Sequence, residues 1–172
     1  MSPHKIIPTI CFALAVATVA TAAAVPERQS AGRILAVAGV KGGLVVHLDC
    51  GDGRLTAALR SNDSYVVHGL DRDSKQVAES RRHVESLGLY GPVSIDQWSG
   101  NVLPYIDNSV NLVVAEDAGL VSNSEVMRVL VPDGVVCVKS DGQWTKAVKP
   151  RPKEIDEWTH YLHAPSNIAV AH

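Results

Sequence analysis

The sequence predicts an α/β domain built on a doubly wound, mainly parallel sheet of about five strands, covered on both faces. Three observations carry this. Short apolar runs rich in β-branched residues recur along the chain, alternating with segments of helical character. One such run, Leu44-Val45-Val46-His47-Leu48, breaks into Asp49-Cys50-Gly51-Asp52-Gly53 and then into the helix start Arg54-Leu55-Thr56. No internal repeat or low-complexity segment follows the first two dozen residues.

At the start of the chain, Lys5 precedes an Ala- and Val-rich apolar run from Ile6 to Ala24. The small residues Thr21-Ala22-Ala23-Ala24 suit signal cleavage, with Val25-Pro26 just beyond. Residues 1–24 are therefore expected to be a secretory signal, leaving an exported protein, periplasmic or extracellular, with no stable membrane anchor. An uncleaved anchor is the rival reading, because the run is nearly long enough to span a bilayer. Pro8 and the weak hydrophobicity of alanine favour cleavage.

Each later element has its own signal. Arg33 to Val37 suggests a short leading helix ended by Gly39. Strands are expected at Leu44 to Leu48, Tyr65 to Leu70, Val93 to Gln97, Asn111 to Ala115 and Val135 to Lys139, each bounded by turn formers. A helix from Leu55 to Arg60 follows the glycine turn. A longer one runs from Ser74 to Leu87, with Val77, Val84 and Leu87 on one face, Asp73 as its cap and Gly88 as its stop. A third starts at Ser122, with Glu125 three residues on as a capping box, and Pro132-Asp133-Gly134 turns the chain into the fifth strand.

Several function classes are excluded early. The 172-residue chain carries a formal net charge of −2 and no basic stripe, so a nucleic-acid partner is not expected. Without the signal, on the order of 150 residues remain, enough for one domain with its own core. Of the three cysteines, Cys11 lies in the signal, while Cys50 and Cys137 fall in or beside different strands, so no disulfide framework is expected. Gln143 to Lys153 reads as a surface tail or linker. His160 and His163, further on, have no third ligand in an obvious constellation, and no metal site is expected.

The glycine turn carries the chemistry. Gly51 and Gly53 let backbone amides approach a ligand closely, and the helix start beyond offers unpaired N–H groups to anything electron-rich. A second feature stands at the next strand, which ends in Gly69-Leu70-Asp71. A carboxylate there fits the rule that ligands bind outside the carboxyl ends of parallel strands. The alternative reading of Asp71 is a solvated acid at a helix start.

These segments, with Leu103-Pro104-Tyr105-Ile106-Asp107-Asn108-Ser109-Val110-Asn111-Leu112-Val113-Val114 and Arg128-Val129-Leu130-Val131-Pro132-Asp133-Gly134 in the same order, resemble a class I, type 11-like S-adenosylmethionine-dependent methyltransferase over roughly residues 30 to 140. The tail Asp156-Glu157-Trp158-Thr159-His160-Tyr161-Leu162-His163 is similar to the junction before a pyrroloquinoline-quinone-like β-propeller in large secreted bacterial proteins. The implied layout is a signal at 1–24, a Rossmann-like methyltransferase domain at 30–142, lacking the family's last two strands, and a linker at 143–172 toward a downstream propeller.

The resemblance also implies site residues. Asp71 accepts hydrogen bonds from the cofactor ribose, and Gly51 and Gly53 match the family's last two glycines. Asp49 then stands where the first glycine belongs, and His47 replaces the usual acid. An ionised Asp49 within about 4 Å of the cofactor carboxylate would repel it by roughly 4 kcal/mol at an effective dielectric near 20. His47 reads as a core histidine on a strand as well as a cofactor neighbour. Ser99 takes the place of an acid that contacts the adenine. Trp98 either stacks on that adenine or packs against the core. Glu116 and Asp117, after the fourth strand, are the candidate catalytic residues for in-line methyl transfer, or else two solvated loop acids.

Three functional readings follow. The first is a methyltransferase acting on a small-molecule acceptor. The second is a non-catalytic exported module that keeps the fold, appended to a propeller. The third, a nicotinamide-dependent dehydrogenase, needs a third glycine where Thr56 stands.

Overall fold

The computed structural model describes residues 25–152. The signal-like segment with Cys11, and the tail with Trp158, His160 and His163, lie outside the described residues.

The elements run α1 (Val25–Ala38), β1 (Gly43–Leu48), α2 (Arg54–Leu59), β2 (Tyr65–Asp71), α3 (Ser74–Ser86), β3 (Val93–Gln97), β4 (Val110–Ala115), α4 (Asn123–Val129), β5 (Leu130–Ser140) and β6 (Gln143–Val148). They form a six-stranded sheet in the order β3-β2-β1-β4-β5-β6. The first five strands are parallel and β6 is antiparallel to β5. Strand order reverses at β1, since β2 pairs on one side of it and β4 on the other. A crevice at the carboxyl ends is expected at that switch point.

The alternating side chains of the strands supply two cores. On one face, Val45, Val67, Ile95, Leu112, Val114 and Cys137 pack with Ala31 and Ile34 of α1, Leu59 of α2 and Val77 and Val84 of α3. On the other, Val46, Leu48, Leu70, Val113 and Val136 pack with Val126 and Val129 of α4 and with Trp98 and Leu103 of the connection between β3 and β4. Cys50 and Cys137 are buried free thiols.

The helix signals act as their chemistry requires. Asp73 caps α3, its side chain accepting from the Lys75 amide, and Gly88 follows at φ 66°. Ser122 caps α4 through the Glu125 amide, but only half of the expected capping box forms. The Glu125 carboxylate instead accepts from the Leu103 amide at 2.7 Å and from Arg128. Helix α1 is longer than expected because Pro26 suits a first helical turn, where its missing N–H is not needed.

The sixth strand departs from the sequence reading, in which Gln143 onward was a tail or linker. Asp141 and Gly142 both take positive φ, 49° and 76°, in a two-residue turn that folds Gln143–Val148 back along β5. That geometry matches the right-handed twist of a hairpin. The run Gln143-Trp144-Thr145-Lys146 has too few apolar residues to stand out as a buried strand, and within Gln143–Val148 only Trp144 is partly buried.

Candidate functional site

Strand β1 ends at Leu48, and the next five residues make the turn. Asp49 (φ 50°), Gly51 (φ 55°) and Gly53 (φ 77°) all take left-handed backbone conformations. For an L-residue such as Asp49 this costs roughly 1–2 kcal/mol. Gly53 is also spatially required, because a Cβ there would lie 2.9 Å from the Cβ of Ser80. The turn is held from both sides. The Gly51 amide donates to Asp71 Oδ2 at 2.8 Å, and the buried Ser80 hydroxyl donates to the Gly51 carbonyl. The other Asp71 oxygen accepts from the Asp73 amide at 2.9 Å. Asp71 therefore sits beside the glycine turn, as its place at the tip of β2 suggested, with both oxygens already engaged by backbone.

A cavity of about 620 Å³ opens next to this turn. Its walls include Glu27, Ser30 and Arg33 of α1, His47, Asp49 and Gly51 around the turn, Glu116 after β4, and Lys139 and Trp144 of the β5–β6 hairpin. Of the sequence candidates, His47, Asp49, Gly51 and Glu116 line it, whereas Gly53, Asp71, Trp98, Ser99 and Asp117 are not on its walls. Lys139 Nζ donates to Glu116 Oε1 at 3.1 Å and lies 5.9 Å from the centre of the Trp144 ring.

Burial sets the protonation of the nearby groups. His47 is 2% exposed, and desolvation lowers its pKa from 6.5 to about 4, against the opposing pull of Glu116 and Asp71. It is neutral at ordinary pH. Its Nδ1 is 2.8 Å from Thr56 Oγ1, while Nε2 is buried with no hydrogen-bond partner. The Asp49 carboxyl is raised above its usual range, first by desolvation and then by the Asp71 carboxylate. Burial raises the Cys50 thiol to about 11, so it is not a thiolate nucleophile.

The side of the turn toward β3 is differently furnished. Trp98 is 6% exposed and packs in the core with Leu70 and Leu103, its Nε1 donating to the Val102 carbonyl at 2.8 Å. The Arg72 guanidinium lies 5.0 Å from the centre of its ring. Ser99 is exposed. Asp117 is also exposed and caps its own loop, accepting from the Gly119 amide at 2.8 Å. Glu116 and Asp117 are thus separated, one on the cavity and one outside it.

A family described as a methyltransferase domain matches residues 45–134, just over half of the chain and the span from β1 to the bend in β5. The chain belongs to this methyltransferase domain family. Demethylmenaquinone methyltransferase of Lactobacillus johnsonii is 31% identical in an alignment of 116 residues that covers 62% of this chain and 47% of that one. The chain thus spans about half the length of that curated relative. Among solved structures, one assigned as an S-adenosyl-L-methionine-dependent methyltransferase of Methanococcus maripaludis superposes with a TM-score of 0.61 at 20% identity, covering 69% of this chain and 58% of that one. Geranyl diphosphate C-methyltransferase of Streptomyces coelicolor, solved with Mg2+, geranyl diphosphate and S-adenosyl-L-homocysteine, superposes with a TM-score of 0.58 at 18% identity, covering 65% and 45%. At these identities the structural likeness establishes the fold.

Within this methyltransferase domain, sequence reasoning passed over Arg33, Arg72, Lys139 and Trp144. The dipeptide Asp141-Gly142 was the available signal for the last two, because a hairpin there sets Trp144 opposite Lys139. Nothing local marks Arg72, whose role depends on contacts with residues 26 and 48 positions away.

Proposed function

We propose that this domain binds S-adenosylmethionine and transfers its methyl group to a small-molecule acceptor. The observation that carries the reading is the approach of the Gly51 amide to the Asp71 carboxylate at 2.8 Å, at the switch point of the sheet and beside the open cavity. That hydrogen bond brings the strand-tip acid up against the glycine turn, at the crevice outside the strand ends where a nucleoside-bearing ligand binds in such sheets. The orphaned His47 Nε2 and the open space around Gly51, where a Cβ would meet nothing within 4 Å, fit a ligand with a polar tail.

When bound, the cofactor supplies an electrophilic methyl group on a sulfonium. The residues of the chain do the rest. Gly51 leaves room for the ligand tail, His47 offers a neutral ring nitrogen to it, and Asp71, with lone pairs beyond those it uses, receives the ribose hydroxyls. Glu116, whose Oε1 is held by Lys139, takes the acceptor's proton on Oε2. In-line orientation supplies most of the acceleration of such a displacement. Binding of S-adenosylmethionine to the full-length chain, measured by calorimetry, tests the reading. Saturable heat that Asp71→Ala removes is the expected result, and no heat at millimolar ligand ends it.

A non-catalytic module that keeps the methyltransferase fold is the second reading. It is supported by the left-handed Asp49 in a glycine's place, by the engaged oxygens of Asp71 and by the guanidinium already lying over the Trp98 ring. Export through residues 1–24 and a downstream propeller belong to this proposal, since S-adenosylmethionine is a cytoplasmic metabolite. Among the described residues no helix is long and apolar enough to cross a membrane. A longer natural form that includes the propeller tests it: a higher melting temperature for the domain supports the structural role, and an unchanged one counts against it.

A further inference from the structure

Asp71 and Arg72 are neighbours at the tip of β2 with different allegiances. Asp71 turns back to the glycine turn, whereas Arg72 reaches outward over Trp98 and donates from Nη2 to the Leu120 carbonyl at 2.9 Å. Leu120 belongs to the connection that follows β4, and β1 lies between β2 and β4 in the sheet. The Arg72 side chain therefore bridges the two connections that flank the end of β1. Its surroundings are fixed. Gln97 Nε2 donates to the Arg72 carbonyl at 3.2 Å, and Trp98 is held through its own indole N–H.

A nucleoside whose ribose hydroxyls meet Asp71 carries its base onward along the carboxyl ends of β2 and β3, where Trp98 offers an aromatic face. A planar guanidinium and a planar base stack on an indole in the same way, so they compete for that face. We propose that Arg72 is a built-in gate, occupying the place of the nucleoside base until it leaves Trp98 and releases Leu120. This rests on the cofactor reading above. The contact with Leu120 ties the gate to the segment that carries Glu116, so opening frees the acceptor side of the site together with the nucleoside side.

Calorimetry of the full-length chain and of Arg72→Ala and Arg72→Met with S-adenosylmethionine tests the gate. The methionine variant retains an apolar stem against Trp98 if the alanine variant folds poorly. Removal of the guanidinium is expected to lower Kd by about tenfold. Measurable binding that is equal or weaker in both variants overturns the gate and leaves the cofactor reading standing. Absence of binding in all three proteins ends both. A second readout needs no cofactor: in 5-fluorotryptophan-labelled protein, the Trp98 resonance, assigned with Trp98→Phe, should move in both variants. Added ligand should shift the wild-type resonance as well, and a Trp98 signal unmoved while ligand binds overturns the proposal.

Discussion

The Asp71 carboxylate accepts the Gly51 amide at 2.8 Å and the Asp73 amide at 2.9 Å, so one side chain joins the turn after β1 to the start of α3. Asp71→Ala leaves both amides without that acceptor in a site only 6% exposed. Hydrogen bonds to a charged group contribute about 1.5–3 kcal/mol each, less whatever water recovers. A loss of about 2–3 kcal/mol in urea unfolding is expected, with Asp71→Asn intermediate because its amide keeps one acceptor oxygen. A loss below about 0.5 kcal/mol would show that the clamp does not hold the turn.

The two glycines of the turn should respond unequally. Gly51→Ala meets open space and bears only the strain of φ 55°, about 1 kcal/mol. Gly53→Ala adds a clash with the Ser80 backbone and Cβ at 3.0 and 2.9 Å, and should cost about 3 kcal/mol. Thermal unfolding of the two variants side by side checks the order, and equal losses would mean that α3 yields to the added methyl.

His47 makes stability depend on pH above the carboxylate range. Its folded pKa, about 4, lies below the ordinary 6.5, so the unfolded chain takes up a proton that the folded chain refuses. Stability is then complete above pH 6.5 and declines as pH falls toward 4. His47→Gln should flatten this part of the profile, as read from denaturation midpoints across that window. An unchanged slope would show that another group is responsible.

A second dependence lies lower. Hydrogen bonds from Arg128, aided by the Leu103 amide, depress the Glu125 carboxyl from 4.5 to about 2. The stability it contributes is present above pH 4.5 and is lost as pH falls through about 2. Glu125→Gln should remove the decline between those values while leaving the His47 region intact. Because the pair joins α4 to the connection between β3 and β4, the same variant should speed amide exchange at Leu103.

The five parallel strands were legible because each buried strand must be an apolar run bounded by turn formers, and most of those runs match the structure to within a residue at each end. Val135 to Lys139 is the exception, extended backward because Leu130 pairs with Val110 before the bend at Asp133 (φ 63°). Strand β6 escaped because its side chains are exposed apart from the partly buried Trp144, and its only firm signal is the turn before it. The site was half legible. The nearness of Gly51 and Asp71 follows from strand order, whereas the fate of Trp98, the redirected carboxylate of Glu125 and the reach of Arg72 depend on partners distant in sequence. Local pattern encodes which backbone ends meet, and it is silent on which long side chain fills the gap.

The antiparallel hairpin at Asp141-Gly142 also does something for solubility. By pairing Val135–Ser140 along their whole length, it hides the hydrogen-bonding rim of an apolar strand and leaves at the margin a ribbon whose side chains are mostly exposed and which carries Lys146. A charged, half-wetted border of this kind is a poor template for a stray β-segment. Shorn of residues 143–152, the sheet would end on Val135-Val136-Cys137-Val138, an adhesive edge ready to recruit another molecule.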